Sequence, residues 1–234
     1  MPQHTIRRFD EELTQLKEHV LSMGGLVERA IRNAVRAMLE QDEERARKTI
    51  DRDAAINALE VQCDEMTRNI LVRRQPAAGD LRFIIATIKV VTDLERMGDL
   101  AAGIAEGALR LMDSPPKNFS NLEAMGEKVL RQVSRALDAL SRGDIELAMT
   151  VIEKDRGVDD LYKSMYRETI TYMLEDPRAI TASLILSNAA KNLERIADHA
   201  TNIAEMVIYT IQGHDIRHVD HDEATRLLNS DEDD

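Results

Sequence analysis

Residues 93–106 read DLERMGDLAAGIAE, and residues 192–205 read NLERIADHATNIAE. In the first, Met97, Ala101 and Ile104 recur at steps of three and four, as do Ile196, Ala200 and Ile203 in the second. That period belongs to a helix with one apolar seam. Upstream, a seam of Leu13, Leu16, Val20, Met23, Val27, Ala30, Ala34 and Ala37 predicts a long helix from Phe9, whose phase Gly24-Gly25 does not shift. A second helix is expected from about Asp42, with Ile56, Leu59, Cys63, Met66 and Ile70 on one face, and a third from about Asp80 after the breaker RRQPAAGD.

DSPPKNFS, residues 113–120, is the strongest breaker cluster and the expected boundary. Beyond it the pattern starts again. AMLEQDEERARKTIDRD (37–53) aligns without gaps with ALSRGDIELAMTVIEKD (139–155), and DPR (176–178) stands where the first Pro/Gly break stood. A repeated order of three helices points to internal duplication. The expectation is an all-α protein of two tandem antiparallel three-helix bundles, residues 1–113 and 119–214, followed by an acidic, histidine-containing tail at 215–234 that is expected to be flexible.

Composition agrees with a helical chain. Aromatic residues make up 3% of the 234, Trp is absent, Met numbers 11, and 10 Gly with 5 Pro are too few to turn many short strands. A net charge of −12 argues against nucleic acid and anionic lipid as partners, and for basic protein surfaces or cations. The lone Cys63 rules out an internal disulfide and suits a reducing compartment. MPQHTIRRFDEEL has no apolar stretch of signal-peptide type and no run reaches membrane-spanning length, so a cytoplasmic protein without membrane insertion is expected.

At roughly 100° per residue, Glu95, Asp99 and Glu106 form one row opposite the seam, and Glu194, Asp198 and Glu205 do the same. The second helix offers Asp53, Asn57, Glu60 and Asp64; its counterpart offers Asp155 and Asp159, continuing to Tyr162 and Tyr166. Like charges four residues apart oppose each other, yet they recur at matching places in both halves. Two readings stand side by side. Converging carboxylates could hold a hard or borderline divalent cation, Mg, Ca, Mn or Fe before Zn. Alternatively, arginines such as Arg96, Arg195 and Arg110 neutralise them. Ile84, Ile88 and Val91 extend the row upstream and suggest cover by another helix or subunit, hence a homodimer. His199 reads as structural, and Asn202 as solvated. His214, His218 and His221 read as part of the tail.

With DLRFIIATIKVVTDLERMGDLAAGIAE, NLERIADHATNIAE, QPAAGDLRF and GHDIRHVD on the page, the chain resembles the PhoU family of bacterial phosphate-uptake regulators from about Phe9 to Val219. The resemblance implies paired three-helix bundles, some of which bind Fe, Zn, Mn or Mg through (Glu/Asp)-x-x-x-Asp motifs. By position these are Glu95 and Asp99 in one half, and Glu194 and Asp198 with Asp155 and Asp159 in the other. Asp53 is followed by Asn57, a weaker ligand, so the second half should hold metal at least as well as the first. The resemblance further implies a non-enzymatic adaptor that represses the phosphate-starvation response, connecting the phosphate ABC transporter's ATPase subunit with a phosphate-sensing histidine kinase. A metal-free helical scaffold is the bland alternative. A carboxylate-bridged metal oxidase would need Glu-x-x-His, which the chain lacks.

Overall fold

The computed structural model describes residues 2–112 and 120–217, so residues 113–119 of the expected boundary and the tail beyond 217, with His218 and His221, lie outside the described residues. Among the described residues there is no strand. The first half comprises α1 (Pro2–Glu40), α2 (Glu43–Arg74) and α3 (Ala78–Leu111). The second comprises α4 (Ser120–Arg142), α5 (Ile145–Lys154), α6 (Arg156–Glu175), a 3₁₀ turn (Pro177–Ala179) and α7 (Ile180–Gln212).

The duplication extends to the turns. Gln41 (φ 54°) and Gly143 (φ 67°) are both left-handed and end the first helix of their half. The following Asp42 and Asp144 then cap the next helix, each accepting from a backbone N–H at 2.9 Å, that of Arg45 and of Leu147. Gln75 (φ 49°) closes α2 beside Pro76, where the Pro/Gly break was expected.

One departure falls at a candidate ligand. The repeat predicts a single counterpart of α2 in the second half, and the structure divides it at Asp155. Asp155 keeps helical dihedrals (φ −59°, ψ −46°), but its N–H bonds Ile152 O at 3.4 Å and its carbonyl accepts from Val158 N at 2.7 Å. Three-residue bonding tightens the rod locally, which periodicity in sequence does not reveal. Asp53 sits inside an unbroken α2.

The halves share one apolar core. α3 and α7 run antiparallel, Asp93 meeting His199 at 2.8 Å and Asn192 Nδ2 donating to Leu100 O at 3.4 Å. α1 and α4 also run antiparallel, with Lys17 Nζ donating to Ser141 O at 2.9 Å. Their approach is close. A Cβ on Gly24 would lie 2.5 Å from Leu137 Cδ2, and one on Gly126 would lie 2.8 Å from Val35 Cγ1. Gly24 thus admits a neighbouring helix while α1 continues unbroken. α2 packs on α1 and α3, and α5 with α6 on α4 and α7, so these rods flank a centre made of the other four.

Ile84 and Val91 are buried, so of the two covers expected for this face, another helix or another subunit, the helix supplies theirs, while Ile88 remains 40% exposed. α3 is covered by its own chain, and two of the three residues that suggested a dimer are spent inside the monomer.

Candidate metal centre

In the second half the acids converge. Asp155, at the tightened turn, and Asp159, one turn later in α6, meet Asp198 of α7, and one carboxylate oxygen from each lies within 4.8 Å of the others. Burial pushes the Asp198 carboxyl up to about 6, reinforced by the charges of Glu194, Asp155 and Asp159 and opposed by Lys191. Asp155 is also raised, by burial first, while hydrogen bonding from Gln132 and Thr201 opposes the shift.

Two residues that the sequence reading passed over complete the arrangement. Gln132 of α4 is only 4% exposed, and its Nε2 donates to Asp155 Oδ1 at 2.9 Å, near Thr201 Oγ1 at 3.2 Å. A lone amide on the apolar seam between Val129 and Ala136 was the signal available. Lys191, one turn before Glu194, donates to both of its carboxylate oxygens at 2.7 and 2.6 Å, and lies 5.1 Å from the Tyr162 ring centroid. The neutralising cation is therefore Lys191, not the expected Arg195.

The first half carries the same motif with a different electrostatic solution. Arg96 lies 3.5 Å from Glu95 and 3.7 Å from Asp99, the arginine pairing foreseen as the second reading. Burial raises Glu95, Glu60 and Asp53, and neighbouring Asp99 adds to each. Asn57 Nδ2 donates to Asp53 Oδ2 at 3.1 Å, while Asp53 Oδ1 is buried without a partner under Gly98. Ala30 and Ala102 occupy the positions that Gln132 and Thr201 hold in the other half, so Asp53 lacks both donors. Among the described residues, the first-half acids do not close into a trio as tight as Asp155, Asp159 and Asp198.

His199 is structural, as expected, and it joins the halves through Asp93. Asn202 is not merely solvated: it donates to the same Asp93 oxygen at 3.1 Å.

The donor chemistry fits a divalent cation in the second half, with three carboxylates in place and Glu194 available if Lys191 moves. The fit is poorer in the first, where an amide replaces one acid and Arg96 covers two others. Without a cation, clustered charge should cost stability. In the fold the Asp198 carboxyl is pushed up to about 6 from an ordinary 3.8. Its protonated form therefore favours the fold fully below the unfolded value, and that contribution is lost as pH rises through about 6. In EDTA, the melting temperature of Asp198→Asn should thus gain on the parent between about pH 4 and pH 7. Scanning fluorimetry checks this; a constant difference would mean the carboxyl does not titrate with folding.

A PhoU domain model matches residues 20–108 and 122–207, one copy in each half. The chain is 44% identical over 218 residues to a phosphate-specific transport system accessory protein PhoU homolog of Pseudomonas aeruginosa, covering 92% of this chain and 90% of that protein. It is 36% identical over 226 residues to the phosphate-specific transport system accessory protein PhoU of Escherichia coli K12, covering 96% and 94%. The crystal structure of PhoU from Pseudomonas aeruginosa superposes with a TM-score of 0.86 at 45% identity, over 88% of this chain and all 100% of that one. The phosphate transport system regulatory protein PhoU of Streptococcus pneumoniae gives 0.82 at 31%, over 88% and 98%. With both halves matched and the same helical fold in solved relatives, this chain belongs to the PhoU domain family.

Proposed function

We propose that this chain is a cytoplasmic, non-enzymatic regulator of phosphate transport that represses uptake and the phosphate-starvation response when phosphate is plentiful. The observation that carries this reading is the family match across both halves, with relatives named as phosphate-specific transport system accessory proteins. Its partners on this reading are the ATPase subunit of the phosphate ABC transporter and a phosphate-sensing histidine kinase. Long rigid faces and a net charge of −12 suit docking to basic protein surfaces. No described helix is long and apolar enough to cross a membrane, so contact with a transporter would run through its extramembranous parts. Self-association as a homodimer belongs to the same proposal, with exposed Ile88 beside Leu71 and Val72 as the apolar ground for it.

The convergence of Asp155, Asp159 and Asp198 adds a divalent cation, Mn, Mg, Fe or Zn, to the proposal. Such a cation would supply positive charge able to attract phosphate to an otherwise repelling surface. The protein's own part is to hold Asp155 in place through Gln132 and to keep Glu194 neutralised by Lys191 until it is needed. Lys191 and Arg96 also favour a second reading, a metal-free scaffold, since they already neutralise part of each cluster.

Deleting the gene should leave a phosphate-starvation reporter switched on in high phosphate, and the intact gene should restore repression. A reporter that stays off in the deletion strain would count against the regulatory role whatever the metal content. Complementation with Asp198→Ala then separates the readings, because full repression by that variant would make the cation dispensable.

A further inference from the structure

Between the halves, where α1 and α3 meet the α4–α5 turn and the last part of α7, lies a cavity of about 180 Å³. Phe83, Val90, Val207 and Ile211 are among its apolar walls, while the exposed Lys17 and Arg142 mark its opening. Two of the polar groups lining it have no protein partner among the described residues. Thr87 lines it and is only 5% exposed, yet its hydroxyl has no hydrogen-bond partner among the described residues. That hydroxyl is left to bond water or a ligand through the cavity. Arg142 likewise has no ion-pair or hydrogen-bond partner among the described residues, in a chain rich in acids.

The internal duplication supplies a comparison. Ala86 and Thr87 correspond to Ile185 and Leu186 in the second half, and Thr210 corresponds to Leu111 in the first. At these three positions the cavity end carries the smaller side chain, whereas Phe83, Val90 and Val207 are larger than their counterparts Ala182, Ala189 and Ala108. An apolar cavity of about 150 Å³ accepts a molecule the size of benzene, so this one suits a ligand of roughly six to eight heavy atoms. Apolar walls, one hydroxyl and an unpaired guanidinium define its chemistry: an apolar body carrying one carboxylate, which Arg can bind through a two-pronged, charge-assisted contact.

We infer that the cavity between the halves is a binding site for a short-chain aliphatic carboxylate, with the chain among Phe83, Val90 and Val207 and the charge toward Arg142. The ligand touches all four central helices, so its binding stabilises the packing of one half on the other.

Sodium hexanoate is the probe, titrated calorimetrically into the full chain and followed by thermal shift, with acetate and hexanol as controls. Saturable hexanoate binding at one site is expected. Hexanol should bind about tenfold more weakly, as loss of a charged hydrogen bond requires, and acetate not at all. Arg142→Gln should weaken hexanoate about tenfold and leave hexanol unchanged. Ala86→Leu should abolish both by filling the cavity; if it does not fold, Arg142→Gln, at an exposed position, still decides. Absence of saturable hexanoate binding, equal affinity for hexanol, or unchanged binding in folded Ala86→Leu would each overturn the assignment.

Discussion

Replacing Asp198 by Asn should weaken Mn(II) binding about a hundredfold or more, against about tenfold for Gln132→Ala, which only orients a ligand. Asp198 is the one acid that α7 brings to Asp155 and Asp159, so its charge cannot be supplied by a neighbour already in position. Glu194, the nearest candidate, has both oxygens engaged by Lys191. The amide also removes a source of repulsion, so the metal-free variant should fold at least as well as the parent, and lost affinity cannot be put down to lost structure. Calorimetric titration with Mn(II), with circular dichroism as the fold control, checks both halves of the statement. Unchanged affinity in Asp198→Asn would place bound cations elsewhere, the first-half cluster of Asp53, Glu95 and Asp99 being the next to examine. Tenfold loss in both variants alike would instead mean that Asp198 touches the cation only through water.

The residues that recur between the repeats were legible in sequence, because a helix converts spacing directly into a face. Glu95, Asp99, Glu194 and Asp198 could be placed opposite their seams with no knowledge of neighbours. Gln132 could not be matched to Asp155 in that way. Which seam residue of α4 points at a turn of the adjacent rod depends on the crossing of two helices, and an isolated period carries no information about it. The Asp93–His199–Asn202 contact was hidden for the same reason, since it exists only because α3 and α7 lie antiparallel across the duplication. Lys191 was within reach of sequence reasoning: a Lys three residues before Glu194 is a recognised helical pair, and weighing only arginines missed it. The tightened turn at Asp155 carries no breaker of its own beyond Gly157, so local composition did not announce it.

The shared core leads to the second large effect. Leu94 and Leu193 stand at matching positions of the repeated phrase, and both are 0% exposed. Truncating either to Ala should cost about 3–4 kcal/mol, since the rods around it are too closely packed to collapse into the space left. For a chain of this size that corresponds to a fall of roughly ten degrees in melting temperature. The form of the transition is the more telling measurement. Two bundles joined only by a linker would melt separately, and Leu94→Ala would move one transition while sparing the other. Here α3 lies along α7 and α1 along α4, with Gly24, Gly107 and Gly126 admitting side chains of the opposite half. An interface this extensive and apolar leaves neither half a complete core of its own. Differential scanning calorimetry should therefore record one transition for the parent, displaced as a whole by either substitution. Two resolved peaks, only one of them moving, would mean that the apolar contact between the halves is too weak to couple their unfolding.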